Sequence, residues 1–305
     1  MLDIKYIAEH PEEIKDGLAK KGYTKEMLDV DALIALYRDI AKLKTSSQAL
    51  SEEKNKLSNS IKSASAEDRP AIIAKSKSVG EELKVEQEKL AAEQAKFDDM
   101  MLRMPNMPSP ESPVGKDDSE NVVRRKVGTP RNFDFTPRDH VELMELNDWS
   151  ELERITKVCG SRTYAIKNEL AKLELAIHMM VIDKLAANGF TVINVPSISK
   201  ERPLYGQGYL PFSRDEIYYM PEDDIYLSGT AELILNSLRA DELLNENELP
   251  ILYAGFSPCF RREAGSYGKD VRGLNRLHQF DKVEMFVYAK QEDSYKEHEH
   301  LLAME

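Results

Sequence analysis

The stretch FRREAGSYGKDVRGLNRLHQFDKVE, residues 260–284, gathers four arginines, two lysines and three glycines in a chain whose formal net charge is −12. Side chains on a strand alternate between its two faces. With that period Arg276, His278, Phe280, Lys282 and Glu284 share one face of the second half, and Arg261 shares a face with Glu263 in the first. If the halves form a hairpin, the shared face is a polar floor carrying one aromatic ring. Such a floor suits a nucleotide. Guanidinium groups hold phosphate oxygens bidentately, a ring face accepts a purine, and carboxylates take an exocyclic amine, a ribose or a substrate ammonium. Gly265, Gly268 and Gly273 allow the connection to turn sharply or to approach a ligand. The same residues also fit a charged hairpin facing water, with Phe280 in the core. A second candidate is SGTAEL at 228–233, where Thr230 and Glu232 stand between a strand and a helix. They fit the polar lining of a pocket, or equally a helix N-cap region with an acidic first turn.

The elements that must position these groups are legible around them. ILYAGFSPCFRRE and LNRLHQFDKVEMFVYA read as two long strands joined by the glycine-rich loop, which favours an antiparallel sheet. DDIYLSGTAELILNSL reads as a strand, a turn and a helix starting near Thr230; residues 167–187 read as an amphipathic helix ended by Gly189, and GFTVINVPSI as a strand with Pro196 at its end. Residues 1–104 differ. Apolar residues at 33, 36, 40, 43, 50, 57 and 61 follow the 3,4 spacing of a coiled-coil seam, with Ser47 and Lys54 as polar interruptions. A weaker seam runs from Ile72 to Met104 with Glu86 and Glu93 on it. The short SASAEDRP connection, with Pro70 as a helix-start residue, makes the two helices antiparallel neighbours. The first, over 25–62, would be about 55 Å long. The prolines of MPNMPSPESPVG mark a boundary. The expected organisation is an α+β chain: a helical arm over 1–104, a linker over 105–116, and a sheet domain with flanking helices over 117–305.

Composition narrows the function classes. At −12 the chain is no general nucleic-acid binder, so any such contact must come from a local patch. Residues 38–77 provide one candidate, with nine Lys/Arg against five Asp/Glu, although an ordinary solvated coiled coil fits as well. Two distant cysteines, with no CxxC and no HExxH, argue against a structural or catalytic zinc site. The N-terminus carries no apolar signal core and no apolar run reaches membrane-spanning length, so a cytoplasmic protein without membrane contact is expected.

FRxE, a loop, then RxxxFxxxE closely resembles the second signature motif of class II aminoacyl-tRNA synthetases, and in detail that of bacterial-type seryl-tRNA synthetases. The resemblance runs along the chain. MLDIKYIAEHPEEIKDGL is similar to that family's start, the helical hairpin to its tRNA-binding arm, GFTVINVPSI to the first class II motif, and SGTAEL to its serine-site TAE motif. Two local departures, Ser228–Gly229 before TAE and GQGYLPF for the family's GTGQLPKF, remove no identifiable ligand group.

The resemblance implies serine–tRNA ligase activity, using ATP and L-serine, with tRNA(Ser) and also tRNA(Sec) as acceptors. Arg261 would be the catalytic cation, bridging the serine carboxylate and the α-phosphate. Thr230, Ala231, Glu232, Arg261 and Glu284 would form the serine site, and Arg261, Arg262, Glu263, Leu277 and Phe280 the ATP site. Arg276 and Lys282 would be phosphate or structural cations, and Pro196 would lie at a homodimer interface. The third class II motif, a glycine-rich segment ending in an arginine against ATP, does not occur in these 305 residues. The chain therefore resembles the N-terminal portion of the enzyme, and impaired activity is expected of it. The Mg2+ ligands of the family would lie in the part that does not occur here. The alternative is a non-catalytic synthetase fragment that grips tRNA through its arm.

Overall fold

The computed structural model describes residues 2–65, 67–264 and 272–305. They form two compact units, Met1–Thr129 and Pro130–Glu305. In the first, α1 (Ile4–Glu9) and α2 (Pro11–Lys20) precede the long helices α3 (Val30–Ser60) and α4 (Arg69–Arg103). Local chemistry sets these starts. Asp3 and Asp29 accept backbone N–H bonds from Lys5 and Ala32 at 2.8 and 3.0 Å, and proline occupies the first turn of α2 and of α4. The Asp29 cap starts α3 at Val30, later than the expected start near residue 25, leaving 31 residues, about 46 Å of helix.

The two long helices run antiparallel. Tyr37 and Phe97 rings lie 6.2 Å apart toward one end, and Lys75 pairs with Glu53 at 2.9 Å toward the other. Burial follows the seam: Leu33, Ile40, Val79 and Leu83 are buried, and so is the polar interruption Ser47. The other interruption, Lys54, lies against Gly80, its Cε 3.6 Å from where a Cβ would stand. At the base, α1 and α2 add Ile7, Ile14 and Leu18 to Leu33 and Met101, so this end has a true core.

In the second unit come α5 (His140–Leu146), α6 (Leu152–Cys159), α7 (Asn168–Ala187), β1 (Thr191–Asn194), β2 (Ile198–Ser199), α8 (Glu201–Gly206), β3 (Tyr219–Met220), β4 (Ile225–Leu227), α9 (Glu232–Ser237), β5 (Ile251–Phe260), β6 (Gln279–Tyr288) and α10 (Ser294–Met304). The main sheet has the order β1-β5-β6; a small antiparallel sheet has the order β2-β4-β3. β5 and β6 form the expected antiparallel pair, with Gly255 opposite Glu284, Ser257 opposite Lys282 and Cys259 opposite Phe280. β1 joins β5 in parallel, so the main sheet is mixed. The chain between β1 and β5 is long enough for the crossover that a parallel pair needs.

The two faces of this sheet have different coverings. On one, Leu235 of α9 and Ala231 just before it pack against Val195 and Tyr253; on the other, Leu185 of α7 and Leu301 of α10 pack near Ala254, Val283 and Met285. α7 is the expected helix, but its apolar residues are not confined to one buried stripe: Leu173, Leu175, Ile177, Met179 and Met180 are all exposed.

β5 and β6 stop short of the residues that the strand period suggested. Among the described residues one further bond, Arg261 N to His278 O at 3.0 Å, continues the ladder. Beyond it other segments take the backbone groups: Arg262 N donates to Glu216 O and His278 N to Arg162 O, at 3.0 and 2.9 Å, while Glu263 turns to φ +54°. Gly265, Gly268 and Lys269 lie outside the described residues.

Candidate active site

The face of β5 and β6 beneath α9 carries the candidate groups. Phe280, Lys282 and Glu284 alternate on β6 and therefore share this face. Thr230 precedes α9 and is buried. Its hydroxyl donates to Glu284 Oε2 at 2.6 Å and accepts from Lys282 Nζ at 3.1 Å and from the Glu232 backbone N–H at 3.3 Å. One donor and two lone pairs are thus all engaged. Lys282 also forms a close ion pair with Glu284 Oε2. The two readings of Thr230 and Glu232 are therefore compatible, because the same hydroxyl receives a backbone N–H near the helix start and anchors a polar cluster.

Gly255 makes this close approach possible. It lies directly opposite Glu284, and a Cβ there would stand 2.8 Å from Leu235 Cδ1 and 3.2 Å from Ala231 Cβ. The cluster is acidic beyond its ion pair. Burial pushes the Glu232 carboxyl above the usual glutamate range, the Glu284 charge pushes it further, and Lys282 partly offsets both. No hydrogen bond or ion pair of the Glu232 carboxylate occurs among the described residues. Chemically, this end offers carboxylate oxygens to a small cation with hydrogen-bond donors.

Arg261 connects this end to a cationic one. Its Nε donates to Gly229 O at 3.3 Å, one residue before Thr230, and its Cζ lies 5.2 Å from the centre of the Phe280 ring. The terminal guanidinium nitrogens have no hydrogen-bond or ion-pair partner among the described residues. They can meet a carboxylate or phosphate. Arg261, Glu263, Arg276, Leu277 and Phe280 line one cavity of about 340 Å³. Arg261, Glu263 and Arg276 also line a second, of about 360 Å³, that reaches Tyr209 and Leu233. A purine stacked on the ring face that Arg261 now covers would require the guanidinium to slide aside.

Glu263 is held from two sides. Arg276 Nη1 donates to its Oε2 at 3.0 Å, and Arg162 Nη1 lies 3.9 Å from the same oxygen. Arg162 was not among the sequence candidates; it stands about 100 positions earlier and has no motif spacing to the hairpin. Glu216 was also missed. It accepts from Ala264 N at 3.2 Å through its side chain and from Arg262 N through its backbone, so it pins the turn that presents Arg261 and Glu263. Gly273 and Leu274 dock on α5: Leu274 N donates to His140 Nε2 at 3.0 Å, and Arg272 pairs with Asp139 at 2.9 Å.

Other candidates lie elsewhere. Arg262 turns to Tyr218, its Cζ 5.9 Å from that ring, and lines neither cavity. Ala231 is fully buried against β5. Pro196 is exposed just after β1, near the exposed Val192 and Ile198. Among the described residues no group of three or more His, Cys, Asp or Glu is placed to hold a metal ion, and no helix is long and apolar enough to cross a membrane.

Two family models match this chain: the seryl-tRNA synthetase N-terminal domain over residues 1–108, and the tRNA synthetase class II core domain (G, H, P, S and T) over 217–304. Among curated relatives, the serine–tRNA ligase of Deinococcus radiodurans is 41% identical, the alignment covering 99% of this chain and 71% of the relative. That of Thermobifida fusca is 39% identical, with 100% and 72% covered. Among solved structures, a seryl-tRNA synthetase from Pyrococcus horikoshii complexed with ATP superimposes with a TM-score of 0.87 at 33% identity, over 99% of this chain and 73% of that one. A cytoplasmic serine–tRNA ligase from Naegleria fowleri in complex with AMP gives 0.82 at 26% identity, over 100% and 71%.

Proposed function

The chain belongs to the seryl-tRNA synthetase family of class II aminoacyl-tRNA synthetases, and on that premise we propose that its β5–β6 floor binds L-serine and ATP for serine–tRNA ligase chemistry. In the first step a serine carboxylate oxygen attacks the α-phosphorus of ATP. The bond to the bridging oxygen breaks and pyrophosphate leaves. In the second, the 3′-hydroxyl of the terminal tRNA adenosine attacks the seryl carbonyl carbon and AMP leaves. No protein nucleophile is needed, so catalysis rests on positioning and on charge stabilisation.

The observation that carries the reading is the continuity between the two ends. Arg261 is tethered to Gly229, and the next residue, Thr230, is bonded to Glu284. A small amino acid spanning them would set its carboxylate on Arg261 and its ammonium toward Glu232 and Glu284, with its side-chain hydroxyl also on Glu284. Arg261 would also meet the α-phosphate, Glu263 the adenine amino group, and Phe280 the purine face, with the Leu277 backbone as a nearby contact. Arg262 is assigned to the ATP site by family pattern alone. Arg276 serves Glu263, and through it the nucleotide. Mg2+ would accompany the ATP phosphates; the described residues provide no acidic cluster for it, and no step is derived through it.

The arm over 1–104 would grip tRNA(Ser), and tRNA(Sec) by the same contacts, through the cations of 38–77. The remaining 117–305 would be the catalytic part, joined through the linker at 105–116. The exposed apolar residues of α7, with Val192 and Pro196, fit a homodimer interface, across which an arm would reach tRNA held by the other subunit. The protein would work in the cytoplasm.

Binding of L-serine against L-alanine tests the pocket. A site whose buried polar groups need the hydroxyl rejects alanine strongly, so serine should bind at least tenfold more tightly, and Glu284→Gln should erase the preference. Equal binding of the two amino acids refutes the reading. These 305 residues should exchange little pyrophosphate with ATP, because the third-motif arginine is not among them. Salt-sensitive tRNA binding without serine binding would favour the non-catalytic fragment instead.

A further inference from the structure

Glu284 has two carboxylate oxygens, and the contacts among the described residues fall on one of them. Thr230 Oγ1 donates to Oε2 at 2.6 Å, and Lys282 Nζ pairs with the same Oε2. Lys282 also donates to Thr230 Oγ1 at 3.1 Å, which closes a ring of three contacts. Among the described residues no partner of Glu284 Oε1 occurs. The three groups are well anchored. Lys282 and Glu284 are two residues apart on one face of β6, and Thr230 precedes Ala231, which with Leu235 of α9 lies close over Gly255.

A glutamate carboxylate turns easily about its last torsion, whose preferences are broad and two-fold. Two contacts on one oxygen stop that rotation and fix where the other oxygen stands. This matters unequally for the groups of a substrate. An ammonium has three donors and a charge, so it finds a carboxylate in many orientations; a hydroxyl has one hydrogen, and its bond weakens steeply with angle. Reading a hydroxyl therefore needs a fixed acceptor, whereas attracting an ammonium does not.

We propose that Lys282 is a positioning residue for side-chain discrimination: with Thr230 it clamps Glu284 Oε2 so that Oε1 is presented in one orientation to the substrate hydroxyl. This rests on reading the pocket as the serine site. It gives Lys282 a role toward the amino acid rather than toward phosphate.

The experiment measures L-serine and L-alanine affinities by calorimetry on the 305-residue chain, as wild type, Lys282→Met and Lys282→Arg. In Lys282→Met, serine affinity falls about tenfold, the scale of one charge-assisted hydrogen bond, while alanine affinity changes less than about twofold. Lys282→Arg, which keeps the charge and the donors, recovers most of the selectivity. Equal losses for both amino acids, or unchanged selectivity in Lys282→Met, overturn the proposal. If the wild type itself does not prefer serine, the pocket reading fails, and the clamp is judged separately by nitrogen-15 NMR of lysine ammonium groups. A held Lys282 ammonium gives a slowly exchanging signal that Glu284→Gln removes; its absence from the wild type overturns the clamp.

Discussion

Gly255→Ala is a one-carbon test of how the pocket is assembled. The added Cβ would stand 2.8 Å from Leu235 Cδ1 and 3.2 Å from Ala231 Cβ. Carbon atoms attract best at about 3.5–4.0 Å, so both contacts are repulsive. Leu235 is fully buried, which leaves its methyl little room to turn, and the Ala231 Cβ moves only with its backbone. The start of α9 must therefore lift by a few tenths of an ångström. Thr230 is the residue before Ala231, so the lift acts on its 2.6 Å bond to Glu284. Overpacking of this kind costs about 1–3 kcal/mol. The expected result is a loss of about 1–2 kcal/mol in urea unfolding, together with about tenfold weaker serine binding, since small misplacements in such sites are amplified. Leu235→Ala supplies the control. Alone it opens a cavity costing about 2–5 kcal/mol, but it also removes the closest clash. In that background the cost of Gly255→Ala should shrink by about 1 kcal/mol, a coupling that a double-mutant cycle resolves. Additive costs, or a Gly255→Ala protein with wild-type stability and serine affinity, would refute the steric account.

The raised Glu232 carboxyl makes a pH prediction with opposite signs for binding and stability. Attracting an ammonium needs the carboxylate, so serine affinity should begin to fall on acidification at a pH above the ordinary glutamate range, and Glu232→Gln should flatten that limb; a titration with its midpoint at an ordinary glutamate value contradicts it. Because the folded chain holds this proton more tightly than the unfolded one, the stability contribution is present at low pH and is lost as pH rises through the raised value. Gly273 has φ +79°, and a Cβ there would fall 2.0 Å from His140 Nε2. Gly273→Ala should unseat the Leu274–His140 bond and weaken ATP binding at least tenfold while sparing serine binding, as two separate calorimetric titrations would show; undiminished ATP affinity argues against a role for this docking.

Much of the fold was legible because it depends on local rules. The 3,4 seam located both long helices, since burying a stripe on an antiparallel neighbour is what that period permits. The cap at Asp29 was the finer determinant of where α3 begins, and Ser47 shows that the seam tolerates a small polar residue when packing encloses it. β5 and β6 were legible as alternating runs, but their ends were not. Where a ladder stops depends on which other segments bid for its backbone groups, here Glu216 for Arg262 and Arg162 for His278, and neither is near the hairpin in sequence. The parallel placement of β1 is likewise a matter of which strand it meets, not of its own pattern.

The site divides along the same line. Period two correctly placed Phe280, Lys282 and Glu284 on one face, because alternation is a property of a strand by itself. It says nothing about what covers that face. That Thr230 reaches Glu284 follows from α9 lying close over Gly255, and a glycine inside a strand carries no label saying whether it marks a bulge, a weakness or a close approach. Lys282 shows the consequence most clearly. From its sequence neighbours it is one of several cations beside a nucleotide motif. From its contacts it belongs with Thr230 and Glu284, so its charge serves the acidic end of the floor. Charge type and strand parity thus identify which side chains can do chemistry together, whereas the direction in which each one acts is set by the partner that the fold brings to it.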